Sequence, residues 1–214
     1  MSTQDVTGAD LFAPLRGSGN PELDPRSCSD EAGSGRSGGT LPPVLDACCG
    51  TRMMWFDKQD RRTLYIDKRR GSRAVDNGRT AATKGRTPRE VNPDQIADFT
   101  SMPFPDETFW HVVFDPPHLE EINNPDSVLR FNYGQLMPGW RDHLKAGFAE
   151  CFRVLKPGGT LIFKWCESEI KLSEVLALTP ERPLYGHRSG KKAQTHWCAF
   201  WKPNVRRSDG APRQ

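Results

Sequence analysis

Residues 44–50 read Val-Leu-Asp-Ala-Cys-Cys-Gly, a short apolar run that enters a glycine turn. Further apolar runs follow along the chain, each bounded by turn-forming residues, which is typical of buried strands. The predicted strands cover residues 44–47, 63–66, 95–97, 110–114, 160–165 and 196–201. The first run is therefore interpreted as the opening strand of a sheet.

The clearest helical pattern lies just before the fifth predicted strand. Large apolar residues recur there at intervals of three and four, which places them on one face of a helix. They are Trp140, Leu144, Phe148, Cys151, Phe152 and Leu155. A weaker helix is predicted over residues 168–178. Strands that alternate with helices predict an α/β fold, a mainly parallel sheet with an antiparallel last strand and helices on both faces.

Composition divides the chain into a central domain and two tails. Residues 1–40 are rich in Ser and Gly and are predicted to be disordered, because they offer little apolar surface to bury. Residues 203–214 are predicted to be a second disordered tail. Between them, residues 41–202 form the predicted catalytic domain, in which residues 68–90 are interpreted as a basic, flexible insertion.

The bulk properties of the 214 residues narrow the possible functions. The formal net charge of +3 permits a polyanionic partner without requiring one. The six cysteines include no CxxC pair and no His/Cys cluster with zinc-ligand spacing, so no metal site is predicted. No stretch is apolar for long enough to span a membrane. A reduced, cytoplasmic setting is expected.

An aspartate lies at the end of each of four successive predicted strands, except that Asp46 lies one residue before the end of its strand. They are Asp46, Asp67, Asp98 and Asp115. In an open parallel sheet, ligands bind at the carboxyl ends of the strands. A single aspartate there usually caps the next helix, but four in succession suit a ligand with a ribose diol, an amine and a cationic group.

Residues 44–50, 97–109 and 150–161 together resemble class I, Rossmann-like methyltransferases that use S-adenosylmethionine. The resemblance covers roughly residues 42–202 and implies that this compound is the cofactor. It places Asp67 on the ribose hydroxyls, Asp98 on the adenine amine and Phe99 against the adenine ring. The implied cofactor-binding residues are Asp46, Cys48, Gly50, Asp67, Asp98, Phe99 and Asp115. One departure is that Thr51 and Arg52 follow Gly50, where the family often has a second glycine.

The Phe114-Asp-Pro-Pro-His118 segment resembles the Asp-Pro-Pro-aromatic motif of amino-methyltransferases, in a small Asp-Pro-Pro-His variant group. The implied catalytic residues are Asp115, Pro116, Pro117 and His118. An acceptor pair made by the Asp115 carboxylate and the Pro116 carbonyl can bind both hydrogens of an exocyclic amine and aim its lone pair at a methyl group. His118 can stack on the target or accept a proton, and both roles stay open. The alternative reading of two prolines is a rigid turn.

A basic stretch, Tyr185-Gly-His-Arg-Ser-Gly-Lys-Lys192, is predicted to be a hairpin loop before the last strand. Its candidate substrate contacts are His187, Arg188, Lys191 and Lys192, which suit a phosphate backbone or an extruded base. An exposed hairpin without substrate contacts is the alternative. Methylation at a cytosine ring carbon is excluded, because it needs a nucleophilic cysteine, usually after proline, and the chain has no Pro-Cys pair.

These observations predict an N-methyltransferase that acts on an exocyclic amine of a nucleic-acid base. The expected partner is RNA, or single-stranded or phage-type DNA, with a partner subunit as a further option. Two alternatives remain: an N-methyltransferase of a small molecule or a protein amide, and a catalytically silent, methyltransferase-like binding subunit.

Overall fold

The computed structural model describes residues 40–76, 86–120, 128–189, 192 and 194–204. Nearly all of the two predicted tails lies outside these residues. The strands are β1 Val44–Asp46, β2 Thr63–Asp67, β3 Gly71–Asp76, β4 Arg86–Val91, β5 Gln95–Ile96, β6 Phe109–Phe114, β7 Leu155–Cys166, β8 Tyr185–Ser189 and β9 Thr195–Trp201. The helices are α1 Val128–Tyr133, α2 Trp140–Val154 and α3 Leu172–Leu176.

Seven of these strands form one sheet in the order β5-β2-β1-β6-β7-β9-β8. The pairs from β5 to β7 are parallel, whereas β9 runs antiparallel to both β7 and β8. The chain starts in the middle of the sheet, builds outwards to β5 and then crosses back to β6. This confirms the predicted α/β fold with a mainly parallel sheet and an antiparallel last strand.

The hydrophobic core lies between α2 and one face of the sheet. Phe148 of α2 packs against Phe114 of β6 and Phe163 of β7, with ring centroids 5.5 and 4.9 Å apart. These three side chains are at most 1% exposed. The predicted helix at 140–155 is therefore confirmed, and its apolar stripe holds the sheet in place.

On the other face of the sheet, β1 and β2 are covered differently from the prediction. Trp55 packs edge-on against Tyr65, with ring centroids 5.1 Å apart, and Trp55 belongs to the turns between β1 and β2 rather than to a helix. The expectation of helices on both faces is thus not met at these two strands. The physical reason is that one indole buries Tyr65 and also donates a hydrogen bond to Asp46, so no helix is needed to cover this end.

The segment predicted as a flexible insertion contains a two-stranded antiparallel sheet where it is described. β3 pairs with β4 from Gly71 opposite Val91 to Asp76 opposite Arg86. Residues 77–85, which join the two strands, lie outside the described residues. The sequence did not reveal these strands, because Val91 is the only buried residue among those whose burial is described, which leaves no apolar alternation.

None of the described helices is long and apolar enough to cross a membrane.

Candidate active site

A cavity of about 230 Å³ opens at the carboxyl ends of β1, β2 and β6. Its wall brings together predicted site residues from separate parts of the chain: Cys48, Gly50, Asp67, Phe99 and Asp115. Pro117 also lines it. Asp46, Asp98, Pro116 and His118 do not line this cavity. The cavity lies where an open parallel sheet is expected to bind ligands.

The turn after β1 depends on Gly50. Its φ of +50° is in the left-handed region, and its backbone N–H donates a hydrogen bond of 3.0 Å to Oδ2 of Asp67. A Cβ at this position would lie 2.7 Å from the carbonyl oxygen of Asn132 in α1. The glycine therefore allows α1 to approach the turn, as well as allowing the turn itself.

Arg52 stands where a second glycine was expected from the resemblance, and it too has a positive φ, +52°. Its guanidinium donates hydrogen bonds to the carbonyl oxygens of Lys58 and Asn92 and pairs with Asp94 at 3.0 Å. It also lies over the ring of Tyr65, 3.7 Å from the centroid. These contacts hold the left-handed backbone without glycine.

Asp67 is almost fully buried, and its carboxylate is occupied by protein donors. Oδ1 accepts hydrogen bonds from the backbone N–H and Nε of Arg69, at 2.9 and 3.0 Å. Oδ2 accepts from the N–H of Gly50 and from Nη2 of Arg69, at 3.0 and 3.1 Å. A carboxylate has about four lone-pair sites, so a ligand hydroxyl must displace a donor, and the side chain of Arg69 supplies two of the four.

Arg69 was not singled out in the sequence and lines the cavity. Besides Asp67, it donates from Nη1 to the carbonyl oxygen of Phe131 at 3.0 Å. Its side chain is 32% exposed, so it has room to leave the carboxylate. Arg69 therefore links the end of β2 to α1 across the cavity.

Asp46 is fully buried and faces the covering loop rather than the cavity. Trp55 donates a hydrogen bond of 2.7 Å from Nε1 to Oδ2, and the backbone N–H of Cys48 donates to Oδ1 at 3.2 Å. Burial raises the pKa of Asp46 to about 7, although these two hydrogen bonds oppose the shift. Burial, together with Asp46, raises the pKa of Cys48, so Cys48 lines the cavity as a neutral thiol. The predicted contact of Asp46 with the cofactor stays a prediction.

Asp98 and Phe99 follow β5 and take different directions. Oδ1 of Asp98 accepts 2.9 Å hydrogen bonds from both the N–H and the hydroxyl of Thr100, and its side chain is 42% exposed. Burial raises the pKa of Asp98, but the hydrogen bonds from Thr100 and the charge of Lys68 outweigh it and leave the pKa below its ordinary value. Phe99 lines the cavity and packs edge-on against Phe114, at 5.2 Å.

Asp115 lines the cavity and is paired with Lys164, which lines it as well. Nζ of Lys164 lies 2.5 Å from Oδ2 of Asp115, and both side chains are largely buried. The parallel register pairs Phe114 with Phe163, so the next residue on each strand brings carboxylate and ammonium together. The sequence prediction missed Lys164. Its signal was a lysine within the otherwise apolar strand 160–165.

Tyr133, the last residue of α1, lines the cavity, and its ring centroid lies 5.9 Å from Nζ of Lys164. His118 lies behind it and makes edge contacts with the rings of Tyr133 and Trp165, at 5.5 and 6.2 Å between centroids. Burial lowers the pKa of His118, and the charge of Asp115 opposes this shift. The predicted stacking of His118 on a substrate stays a prediction, and in this structure the ring packs against protein side chains.

Two polar atoms of cavity-lining residues are buried without a hydrogen-bond partner among the described residues. They are Oγ1 of Thr51 and Oδ1 of Asn132. Buried polar atoms are nearly always paired, so these two oxygens are exceptions, and they have almost no accessible surface toward the cavity. Within the described part of the chain, no group of His, Cys, Asp and Glu could hold a metal ion.

The predicted substrate contacts lie at the edge of the sheet. His187 and Arg188 belong to strand β8, where a loop was predicted, and they are exposed, as is Lys192. Lys191 lies outside the described residues. His187 is opposite Trp197 of β9, and Trp197 is opposite Lys164 of β7. Opposed residues of an antiparallel pair point to the same face, so the three residues form one row from the cavity to the sheet edge.

No protein-family model matches the sequence, and no curated protein matches it either. Solved structures with a related fold include the PH0226 protein of Pyrococcus horikoshii, with 16% identity and a TM-score of 0.44 over 74% of this chain and 81% of that one. Another is the 1,6-didemethyltoxoflavin-N1-methyltransferase of Burkholderia thailandensis, with 14% identity and a TM-score of 0.42 over 75% and 70%. Likenesses of this strength do not establish an activity.

Proposed function

We propose that this chain is an S-adenosylmethionine-dependent N-methyltransferase that acts on an exocyclic amine of a nucleic-acid base. The observation that carries the proposal is that one cavity holds both halves of such a site. Gly50, Asp67 and Phe99, which we assign to the cofactor, line it together with Asp115 and Lys164, which we assign to the amine. A cofactor and a methyl acceptor would therefore meet in one cavity.

The residues assigned to the cofactor fit it once the side chain of Arg69 has moved away from Asp67. Phe99 offers an aromatic face, and Asp67 can accept the ribose hydroxyls once the Arg69 side chain has released both oxygens. The cavity is small beside typical ligand sites of about 300–1,000 Å³, and withdrawal of Arg69 would also enlarge it.

Asp115 and Lys164 suit an amine that is a poor nucleophile. Bound at this site, the cofactor would supply a methyl group from its positively charged sulfur, which would become a neutral thioether. The amine nitrogen would take the methyl group and release one proton to solvent. Asp115 accepts a hydrogen bond from the amine and so directs the nitrogen lone pair. Lys164 fixes the orientation of the Asp115 carboxylate. A preorganised acceptor of this kind needs little reorganisation during the reaction.

Positive charge around the cavity favours a polyanionic substrate. Lys68 and Arg69 line it directly, and Arg188 and Lys192 are exposed at the sheet edge. Cations of this kind contact phosphates in nucleic-acid complexes. Single strands suit the site best, because their bases reach a cavity without being extruded from a duplex.

The proposal is tested by incubating the full chain with tritiated cofactor and separate pools of tRNA, rRNA, single-stranded DNA, duplex DNA and protein. We expect label in a nucleic-acid pool at the exocyclic amine of one base. Calorimetry in parallel should show that the wild-type chain binds the cofactor and that Asp67→Ala loses much of this affinity, because the ribose loses its acceptor. Label confined to protein, or no binding of the cofactor, would overturn the proposal.

A further inference from the structure

The pairing of Asp115 with Lys164 places a hydrogen-bond acceptor and a hydrogen-bond donor side by side on the cavity wall. The acceptor and donor atoms are 2.5 Å apart, and both residues line the cavity. A lysine ammonium has three donors and no acceptor, and an ionised carboxylate has only acceptors. After their mutual contact, the ammonium keeps two donors and the carboxylate keeps lone pairs for a ligand.

We infer that Lys164 is a specificity residue that donates to the ring nitrogen beside the target amine, so that the pair recognises the amidine-type edge of a heteroaromatic ring. In an amidine-type edge, one carbon carries both an amino group, which donates, and a ring nitrogen, which accepts. This inference rests on the proposed function and names the substrate class more closely. The two nitrogens are about 2.3 Å apart, from two C–N bonds of partial double-bond character. That spacing is close to the separation of the two protein atoms.

The pair has one acceptor and one donor, so each of the two ligand nitrogens can bind only one of the two side chains. Within the pair, the amine can donate only to Asp115, and the ring nitrogen can accept only from Lys164. A simple alkylamine gives Lys164 nothing to donate to, and it leaves a largely buried ammonium without its second partner. The cost of an unmet charged group is higher than that of a neutral one, so the site discriminates against amines that lack the neighbouring acceptor.

Two aromatic rings lie near Lys164, and the one that lines the cavity favours a planar ligand. Its Nζ lies 5.9 Å from the ring centroid of Tyr133 and 5.6 Å from that of Trp197. Tyr133 lines the cavity, and Trp197 lies next to Lys164 in the row that continues to His187 at the sheet edge. Bases that are read along the edge bearing the amine are commonly stacked against such rings.

A primary carboxamide, such as a glutamine side chain, offers a similar edge without a ring, since one carbon carries an amino group and a carbonyl oxygen. It is therefore the matched comparison for the aromatic part of the inference. Cytosine, adenine and guanine all carry the amidine-type edge, so the pair selects the class and leaves the choice among these bases to the rest of the cavity.

The inference is tested with single-stranded oligonucleotides that carry one cytidine, adenosine or guanosine, and with analogues in which the ring nitrogen beside the amine is replaced by C–H. These are 3-deazacytidine, 1-deazaadenosine and 3-deazaguanosine. For a methylated parent we expect kcat/KM to fall roughly tenfold to a hundredfold on the analogue, the loss of one hydrogen bond to a charged group. The 7-deaza purines, in which the replaced nitrogen lies in the other ring, should react like the parent, and a peptide with one glutamine should not react.

Lys164→Met separates recognition from a change in the chemistry of the analogue itself. The variant should lose activity on the parent and no longer distinguish parent from analogue. If Lys164→Met has no turnover, fluorescence anisotropy can measure its affinity for the parent and for the analogue, and the ratio of the two affinities replaces the ratio of kcat/KM values. Lys164→Gln provides a second, polar replacement. Discrimination that persists in the variants would show that Lys164 does not read the ring nitrogen.

The outcomes distinguish the inference from the proposed function. Equal methylation of parent and analogue by the wild-type chain would overturn the inference and leave the proposed function standing. Methylation of the glutamine peptide alone, or of no parent oligonucleotide by cofactor-bound protein, would overturn the proposed function and the inference with it. A preference for the parent over the analogue that disappears in Lys164→Met supports both.

Discussion

At the scale of single residues, the site depends on which oxygen atoms of its carboxylates remain available to a ligand. Both oxygens of Asp46 accept hydrogen bonds within its own loop, from Cys48 and Trp55, whereas Thr100 donates only to Oδ1 of Asp98. Asp67 is held by Gly50 and Arg69, and Asp115 has Lys164 on one oxygen. Four aspartates that are equivalent in sequence pattern thus differ in chemistry, because their neighbours differ.

Asp115→Asn should separate chemistry from cofactor binding. The carboxamide keeps the volume but loses one acceptor oxygen and the charge that Lys164 pairs with. We expect the single-turnover rate to fall roughly 100- to 1000-fold, the size found when one preorganised stabilising group is removed, while the calorimetric affinity for the cofactor changes little. Asp106→Asn, an exposed aspartate paired with Arg153, is the control and should react normally. A normal rate in Asp115→Asn would rule out its proposed contact with the amine.

Arg69→Ala should bind the cofactor more tightly than the wild-type chain. Its guanidinium competes for both oxygens of Asp67, and a partly exposed pair of this kind is worth up to about 1 kcal/mol, or about fivefold in affinity. Calorimetry measures the change. Arg70→Ala, which loses a hydrogen bond to the carbonyl oxygen of Pro93 instead, should leave the affinity unaltered. Weaker binding in Arg69→Ala would mean that this arginine holds the cofactor rather than competing with it.

At the scale of elements, the loop after β1 and helix α1 form the walls of the cavity through a few close contacts. The hydrogen bond from Trp55 to Asp46 holds the loop on β1. Helix α1 approaches the loop at Gly50, where the carbonyl oxygen of Asn132 lies close to the glycine Cα. Neither wall has extensive apolar packing against the sheet like that of α2. Their stability therefore depends on individual polar and steric contacts, which substitutions can test one at a time.

The buried carboxyl of Asp46 should make stability depend on pH. Its folded pKa of about 7 lies above the ordinary value near 4, so the folded state binds more protons than the unfolded state between these values. Stability contributed by the protonated form is complete below about pH 4 and is lost as the pH rises through 7. Urea unfolding at pH 5 and pH 8 should show this loss in the wild-type chain and a smaller loss in Asp46→Asn. The same pH dependence in both proteins would contradict the assignment.

Gly50→Ala should destabilise the chain and weaken cofactor binding. The added Cβ would meet the carbonyl oxygen of Asn132 at 2.7 Å, on a backbone with a φ of +50°. Left-handed strain costs roughly 1–3 kcal/mol, and displacement of α1 adds to it. Gly71→Ala is the control, because a Cβ there meets nothing within 4 Å. Chemical denaturation of the two variants would be compared, and equal stability would show that α1 does not depend on this approach.

At the scale of the whole molecule, one sheet brings the cavity-lining residues together. The loop after β1 supplies Gly50, the end of β2 supplies Asp67, and β7 supplies Lys164. Because these strands are neighbours in space but distant along the chain, the site forms only when the sheet is assembled. Cofactor binding is therefore a measure of the folded domain.

Removal of residues 1–36 should leave both folding and cofactor binding nearly intact, because their composition offers little apolar surface to bury. A longer deletion, of residues 1–43, is the comparison. It removes Pro43, whose carbonyl oxygen accepts a hydrogen bond of 2.8 Å from the backbone N–H of Trp110 in β6. We expect the melting temperature to change little in the first variant and to fall in the second. A large fall in the first would show that the N-terminal segment contributes to the fold.

The sequence by itself predicted six of the nine described strands in their order along the chain, and the long helix α2. These features follow from local periodicity and turn residues, which are visible in short windows of sequence. It also predicted that aspartates would gather at the carboxyl ends of the strands, because parallel strands end at a common edge. Asp67 and Asp115 were identified in this way, and Gly50 and Phe99 through the resemblance to methyltransferases. The structure brings all four to one cavity.

Only the tertiary structure decided which of those aspartates face the cavity and which residues stand opposite them. Lys164 reaches Asp115 through the register of two strands, and Asn132 and Tyr133 reach the cavity from a helix that the sequence did not predict. Arg69 lies only two residues after Asp67, yet its guanidinium also bonds to α1. Such contacts depend on loop paths and strand register over long separations, which short-range patterns do not encode. The hydrogen-bond partners of a buried charge are therefore a property of the assembled sheet.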